Sequence, residues 1–245
     1  MALAFFEGNV FSQSLGMTTG IAISLPADMA EPPAQGMPVL TVLHGLSDNH
    51  SNWYRRTNID RYAEQAGIAV VMPEVQRGFY TDMRYGLRYF TYIAEELPLL
   101  CRRMFRFSDR PEDNYIAGFS MGGYGALKTA LTHPDRYAAV GAFSSVADIR
   151  NTTIRGGAEY EAIFGEGPGP EEDIFYLSSA AAQKNAHPRL YLACGDQDFL
   201  LEDNRRLHAH MEAVGLPHKY EEWAGDHNWE FWDTAIQKYL SFVGR

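Results

Sequence analysis

A chain of 245 residues, 46% hydrophobic and 21% charged, carries enough apolar material to bury the core of one large domain without disulfide or metal staples. Its formal net charge of −10 disfavours nucleic acid and anionic membrane as partners and favours neutral substrates. No apolar run is long enough to span a bilayer, Glu7 interrupts the N-terminal apolar residues before a signal-peptide core forms, and Cys101 and Cys194 make no disulfide framework, so the expected compartment is the cytoplasm.

Residues 9–15 and the alternation of Ile21, Ile23 and Leu25 with Ala22 and Ser24 predict two strands joined through Gly16, Met17, Thr18 and Thr19, an antiparallel hairpin at a sheet edge. Pro26 ends the second strand, and the Pro/Gly-rich stretch 31–36 reads as a surface connection. Residues 39–43 are apolar on both faces, which suits a central strand of a mostly parallel sheet. Beyond them, Asn52, Trp53 and Tyr54 either wall a pocket or pack their loop. Thr57 or Asn58 caps a helix with Ile59, Tyr62, Ala63 and Ala66 on its apolar face and Gly67 at its end. With the strand 68–72 this makes a right-handed crossover. The polar and aromatic stretch 73–88 leaves the C-terminal end of that strand, where ligands bind in open α/β sheets, and offers Tyr80 or Tyr85 to line the acyl or alcohol site. Residues 89–105 are helical in pattern, with Pro98 expected to kink or restart the helix.

The apolar run 115–117 leads into Gly118-Phe119-Ser120-Met121-Gly122 and then a helix with Ala126, Leu127, Ala130 and Leu131 at helical spacing. A further strand covers 137–143. The region 146–188 has no strand signal and one short helical candidate at 159–164, and reads as a variable excursion over the site within a single domain spanning 1–245. The strand 189–194 follows. Leu207, Met211 and Val214 mark a helix closed by Gly215, residues 219–223 a last strand, and Trp232, Ile236, Tyr239 and Val243 the packed face of a terminal helix. His208 and His210 stand two apart on a helix and cannot face one ligand, and no metal-site spacing occurs elsewhere, so no metal is expected.

Strand, G-x-S-x-G and helix together describe a nucleophile elbow, in which Ser120 sits in a strained turn with its hydroxyl exposed above the sheet. Ser144 and Ser145 lack that glycine frame. The loop after 189–194 supplies an acid to orient a histidine, with Asp198 in a G-x-x-D arrangement preferred to Asp196. His227, between the last strand and the terminal helix, is the expected general base. The backbone N–H groups of Leu46, after a central strand in His44-Gly45-Leu46, and of Met121, at the start of the elbow helix, are the expected oxyanion donors. His44 itself is expected to hold its loop by hydrogen bonds. Trp53, Tyr80, Tyr85 and Trp229 are the aromatic candidates for lining the substrate site.

The elbow from Gly118 to Leu127, the loop from Leu43 to Asn49 and the segment from Gly225 to Trp232 resemble the esterase D family of α/β-hydrolases. Leu15-Gly16-Met17-Thr18 and Phe79-Tyr80-Thr81-Asp82-Met83 resemble its bacterial tributyrin esterase branch. The resemblance implies a mostly parallel sheet with helices on both faces and a serine carboxylesterase for short acyl esters. It also implies a Ser120, Asp198 and His227 triad, no cofactor, and a homo-oligomer, dimer or tetramer. S-formylglutathione hydrolases share the elbow but are usually somewhat longer. Acetylated sugars and xylan are further substrate types around the family. A non-catalytic binding protein of the same fold is the remaining class.

Overall fold

The computed structural model describes residues 3–26, 33–152 and 154–245. Among these, strands β1 (Leu3–Ser12), β2 (Met17–Pro26), β3 (Val39–Leu43), β4 (Ala69–Pro73), β5 (Asn114–Phe119), β6 (Ala139–Phe143), β7 (Arg189–Gly195) and β8 (Lys219–Trp223) form one sheet in the order β1-β2-β4-β3-β5-β6-β7-β8. All neighbours from β4 to β8 pair in parallel. The β1–β2 hairpin is antiparallel and joins the sheet through four residues of β2 set against β4, Ile21 opposite Pro73 to Ser24 opposite Val70.

The helices are α1 (Asn52–Arg56), α2 (Ile59–Ala66), α3 (Tyr89–Thr91), α4 (Leu97–Met104), α5 (Met121–Thr132), α6 (Ala158–Phe164), α7 (Ile174–Lys184), α8 (Leu201–Ala213) and α9 (Trp229–Val243). They cover both faces. On one, Trp53, Ile59 and Ala63 of α1 and α2 and Trp232, Ile236 and Tyr239 of α9 pack with Leu40, Val42, Val70 and Met72. On the other, Leu97, Tyr124, Leu127, Leu207 and Met211 pack with Val39, Leu43, Ile116, Val140 and Leu192. A sheet buried on both sides needs continuous apolar strands, and every residue of β4 and β6 is buried. α5 is buried from Met121 to Leu131 and so shows no polar stripe.

Three elements differ from the sequence reading. The hairpin begins at Leu3 and turns at Gln13 to Gly16 instead of Gly16 to Thr19, because the exposed β1 side chains leave no alternation to read. The expected helix at 89–105 is α3 and α4 joined by a π-turn, Tyr92–Glu96, with Pro98 in the first turn of α4. The region 146–188 contains α7 in addition to α6, its start capped by Asp173, whose carboxylate accepts from Phe175 and Tyr176 N–H. Glu31 and Pro32 of the expected surface connection lie outside the described residues.

Candidate active site

Ser120 joins β5 to α5 with φ 54° and ψ −121°, a backbone region that disfavours side chains. Its N–H donates to Phe143 O (2.9 Å), and its C=O accepts from Tyr124 N–H (3.2 Å) and Val146 N–H (3.1 Å). The flanking glycines permit this turn. A Cβ on Gly118 would lie 2.4 Å from Gly122 O, and one on Gly122 would lie 2.3 Å from Leu43 O, so strand and helix approach as only hydrogen side chains allow.

His227, in the loop between β8 and α9, bridges two other strand ends. Its Nε2 lies 3.1 Å from Ser120 Oγ and its Nδ1 2.9 Å from Asp198 Oδ2. Asp198, beyond β7, is buried, and Oδ1 also accepts from Leu200 N–H (2.8 Å). Burial pushes its carboxyl pKa up, but the hydrogen bond and charge of His227 and the Leu200 N–H outweigh this and hold it below the ordinary value. Asp196 turns instead to its own loop and accepts from Gly225 N–H (3.2 Å).

The loop after β3 is fixed from below. Buried His44 receives Val75 N–H at Nε2 (3.1 Å), which leaves the proton on Nδ1 to donate to Gly45 O (2.8 Å). Among the described residues, neither Leu46 N–H nor Met121 N–H is spent on a hydrogen bond. No group of acidic, histidine or cysteine side chains that could hold a metal ion occurs among the described residues.

The family model described as "Putative esterase" matches residues 12–242. The chain belongs to this esterase family. An acetyl esterase of Caldicellulosiruptor saccharolyticus is 29% identical, with 99% of each chain covered. The fluorophosphonate-binding serine hydrolase F of Staphylococcus aureus is 32% identical, with 99% of each chain covered and a TM-score of 0.91. An S-formylglutathione hydrolase of the same organism is 32% identical over 100% of each chain, with a TM-score of 0.90. The fold is that of the α/β-hydrolases, and the protein is a serine hydrolase of carboxylic esters.

Two cavities of the esterase meet at Ser120. The larger, about 550 Å³, is lined by His227 and Trp229 and by polar Ser47, Asp48, Arg56, Asn228 and Glu230. The smaller, about 160 Å³, lies beside Leu46 and Met121 and is walled by apolar Phe79, Val146 and Leu200 and by polar Asn151, Thr152 and Asp203. A third cavity, about 530 Å³, is at the opposite ends of the strands, by Val39 and Asn114.

Of the four aromatic residues expected at the substrate, only Trp229 lines a cavity at Ser120. Trp53 and Tyr80 have no exposed surface and cannot touch a substrate. They donate to consecutive carbonyls under the Leu46 loop, Trp53 Nε1 to Leu43 O (3.1 Å) and Tyr80 Oη to His44 O (2.8 Å). Tyr85 is 67% exposed and lies away from both cavities, its N–H donating to Ala162 O (2.8 Å). Phe199 escaped the sequence reading. It lines both cavities, is 64% exposed, and holds its ring 4.6 Å from that of His227. Its signal was position, an apolar ring directly after the candidate acid in an otherwise polar loop.

Proposed function

We propose that this esterase hydrolyses short-chain acyl esters by two-step acyl transfer, with Ser120 as nucleophile, His227 as general base and then acid, and Asp198 as the group that fixes the imidazole tautomer. The bridging of Ser120 and Asp198 by the two nitrogens of one imidazole carries this reading. His227 takes the Ser120 proton as Oγ attacks the ester carbonyl, the Leu46 and Met121 N–H groups hold the oxyanion, and collapse expels the alcohol with the proton from His227. Water then repeats the sequence on the acyl-enzyme.

His227 must reach the departing oxygen, so the larger cavity, which it lines, takes the alcohol, and the smaller takes the acyl group. At about 160 Å³ against about 550 Å³, the smaller cavity is the tighter of the two and suits a short acyl group. Each buried methylene contributes about 0.8 kcal/mol, so butyryl gains about fifteen-fold over acetyl before overfilling, at about 1–3 kcal/mol, reverses the trend. The kcat/KM series of p-nitrophenyl esters from acetate to decanoate is expected to peak at about four carbons and fall sharply by about eight. A maximum at octanoate or beyond refutes the short-acyl reading. The tributyrin-branch resemblance agrees with this preference.

The S-formylglutathione hydrolase relative supports a second reading, a thioesterase. A formyl group would leave most of the smaller cavity unfilled, so butyrate esters are expected to be the better substrates. A higher kcat/KM for S-formylglutathione than for p-nitrophenyl butyrate reverses that order.

A further inference from the structure

The two edges of the sheet are built differently. β8 places Lys219, Glu221 and Glu222 among its five residues, with Glu221 paired to Lys219 and Lys238 and Glu222 to Arg205. Charges of this kind obstruct the addition of another strand. β1 has one charge in ten residues, Glu7, which accepts from Tyr54 Oη (2.9 Å) and lies 3.4 Å from His50 Nε2. It has no proline, lysine or arginine, and it pairs with β2 residue for residue, so no bulge turns its free edge away. Leu3, Phe5, Phe6 and Phe11 on β1 and Met17 on β2 are 36%, 38%, 50%, 54% and 36% exposed. Half of the large apolar side chains exposed among the described residues are therefore gathered on this one hairpin.

We propose that β1 is a dimer interface, pairing antiparallel with β1 of a second copy of this chain about a two-fold axis through Gly8. The outward backbone groups of an edge strand come from alternate residues, so a two-fold antiparallel pairing must place its axis through a residue. An axis through Phe6 or Asn9 pairs only seven residues of β1, whereas one through Glu7 or Gly8 pairs nine. The Glu7 axis sets two carboxylates face to face, which is unfavourable. The Gly8 axis sets Glu7 opposite Asn9, Phe5 opposite Phe11, Phe6 opposite Val10 and Ala4 opposite Ser12, apolar against apolar with the acid offset. Phe5 and Phe6 are already seated on Tyr54 and Phe105 on the two faces of the sheet, so each presents a fixed ring to the partner. The interface is independent of the catalytic assignment.

Sedimentation velocity of the full chain over a concentration series is expected to show a dimer, and Phe11→Lys to raise its dissociation constant by about ten-fold or more, because each dimer holds two Phe5–Phe11 pairs. Gly8→Cys tests the register. A Cβ there meets nothing within 4 Å, and the natural Cys101 and Cys194 are buried. On oxidation Gly8→Cys chains are expected to cross-link, Glu7→Cys chains alone not to, and an equal mixture of Glu7→Cys and Asn9→Cys chains to do so. A chain that stays monomeric, or a dimer that Phe11→Lys leaves intact and Gly8→Cys fails to cross-link, overturns the proposal.

Discussion

At the scale of single residues, the backbone around Ser120 is held by three main-chain hydrogen bonds that do not involve its hydroxyl. Ser120→Ala is accordingly expected to fold with an unchanged melting temperature while ester hydrolysis falls to near background. Full activity in that variant, or a fluorophosphonate label at Ser144 or Ser145, would move the nucleophile elsewhere. Asp198→Asn turns an amide N–H₂ toward His227 Nδ1 and selects the wrong tautomer, so kcat is expected to fall by about 10⁴. Asp196→Asn disturbs only the bond to Gly225 N–H and should cost far less; the reverse ranking in steady-state kinetics would make Asp196 the acid. Lys128 has no part in this chemistry. It is 2% exposed on α5, donates to Thr81 Oγ1 (2.9 Å) and stands 4.7 Å over the Phe90 ring, and burial lowers its pKa from 10.5 to about 8. Below pH 8 both the folded and unfolded chains carry its proton and folding bears the burial cost. Between about 8 and 10.5 only the unfolded chain keeps the proton, so stability gains with rising pH. Lys128→Met is expected to stabilise the protein by about 1–3 kcal/mol at pH 7, and denaturant titrations should show the difference narrowing at pH 10.

At the scale of elements, Pro98 shows how a local defect is absorbed. Its missing N–H would have served Ala94 O, and the chain instead forms the π-turn while Arg136 Nη1 donates to that carbonyl (2.9 Å). Arg136→Ala is therefore expected to cost about 1 kcal/mol or more, read as a lower urea midpoint, with catalysis unaffected. The interruption was visible in the sequence because proline has one backbone consequence wherever it falls; its repair was not, since Arg136 is remote in the chain. β3 and β8 were legible to the residue, one from a run apolar on both faces and the other from its flanking turns. α7 was not, because Ile174 to Lys184 mixes apolar and small residues without a polar stripe and reads as neither helix nor loop. The same limit applied at the site. Loops at the C-terminal ends of strands could be ordered from chain position, so the meeting of Ser120, Asp198 and His227 was foreseeable. Which way an aromatic points was not, and Trp53 and Tyr80 turn inward, where each donates to a different carbonyl beneath the loop.

At the scale of the whole molecule, the sheet separates tasks by position. The C-terminal strand ends hold the site, both faces are sealed by helices, and no helix among the described residues is long and apolar enough to cross a membrane. The strand order has a further consequence, which is temporal. The hairpin is synthesised first, yet the sheet neighbour of β2 is β4, and the intervening chain must leave the ribosome before that neighbour exists. For a period on the order of seconds at ordinary elongation rates, the nascent chain carries phenylalanines and an open strand edge with nothing to dock against. Synthesis, more than the finished protein's stability, is then the stage at which this chain depends on dilution or chaperone cover. Phe11→Lys is expected to raise the soluble fraction made at high expression rates while leaving the melting temperature unchanged at protein concentrations low enough for both chains to be monomeric, a comparison that separates losses during translation from losses afterwards.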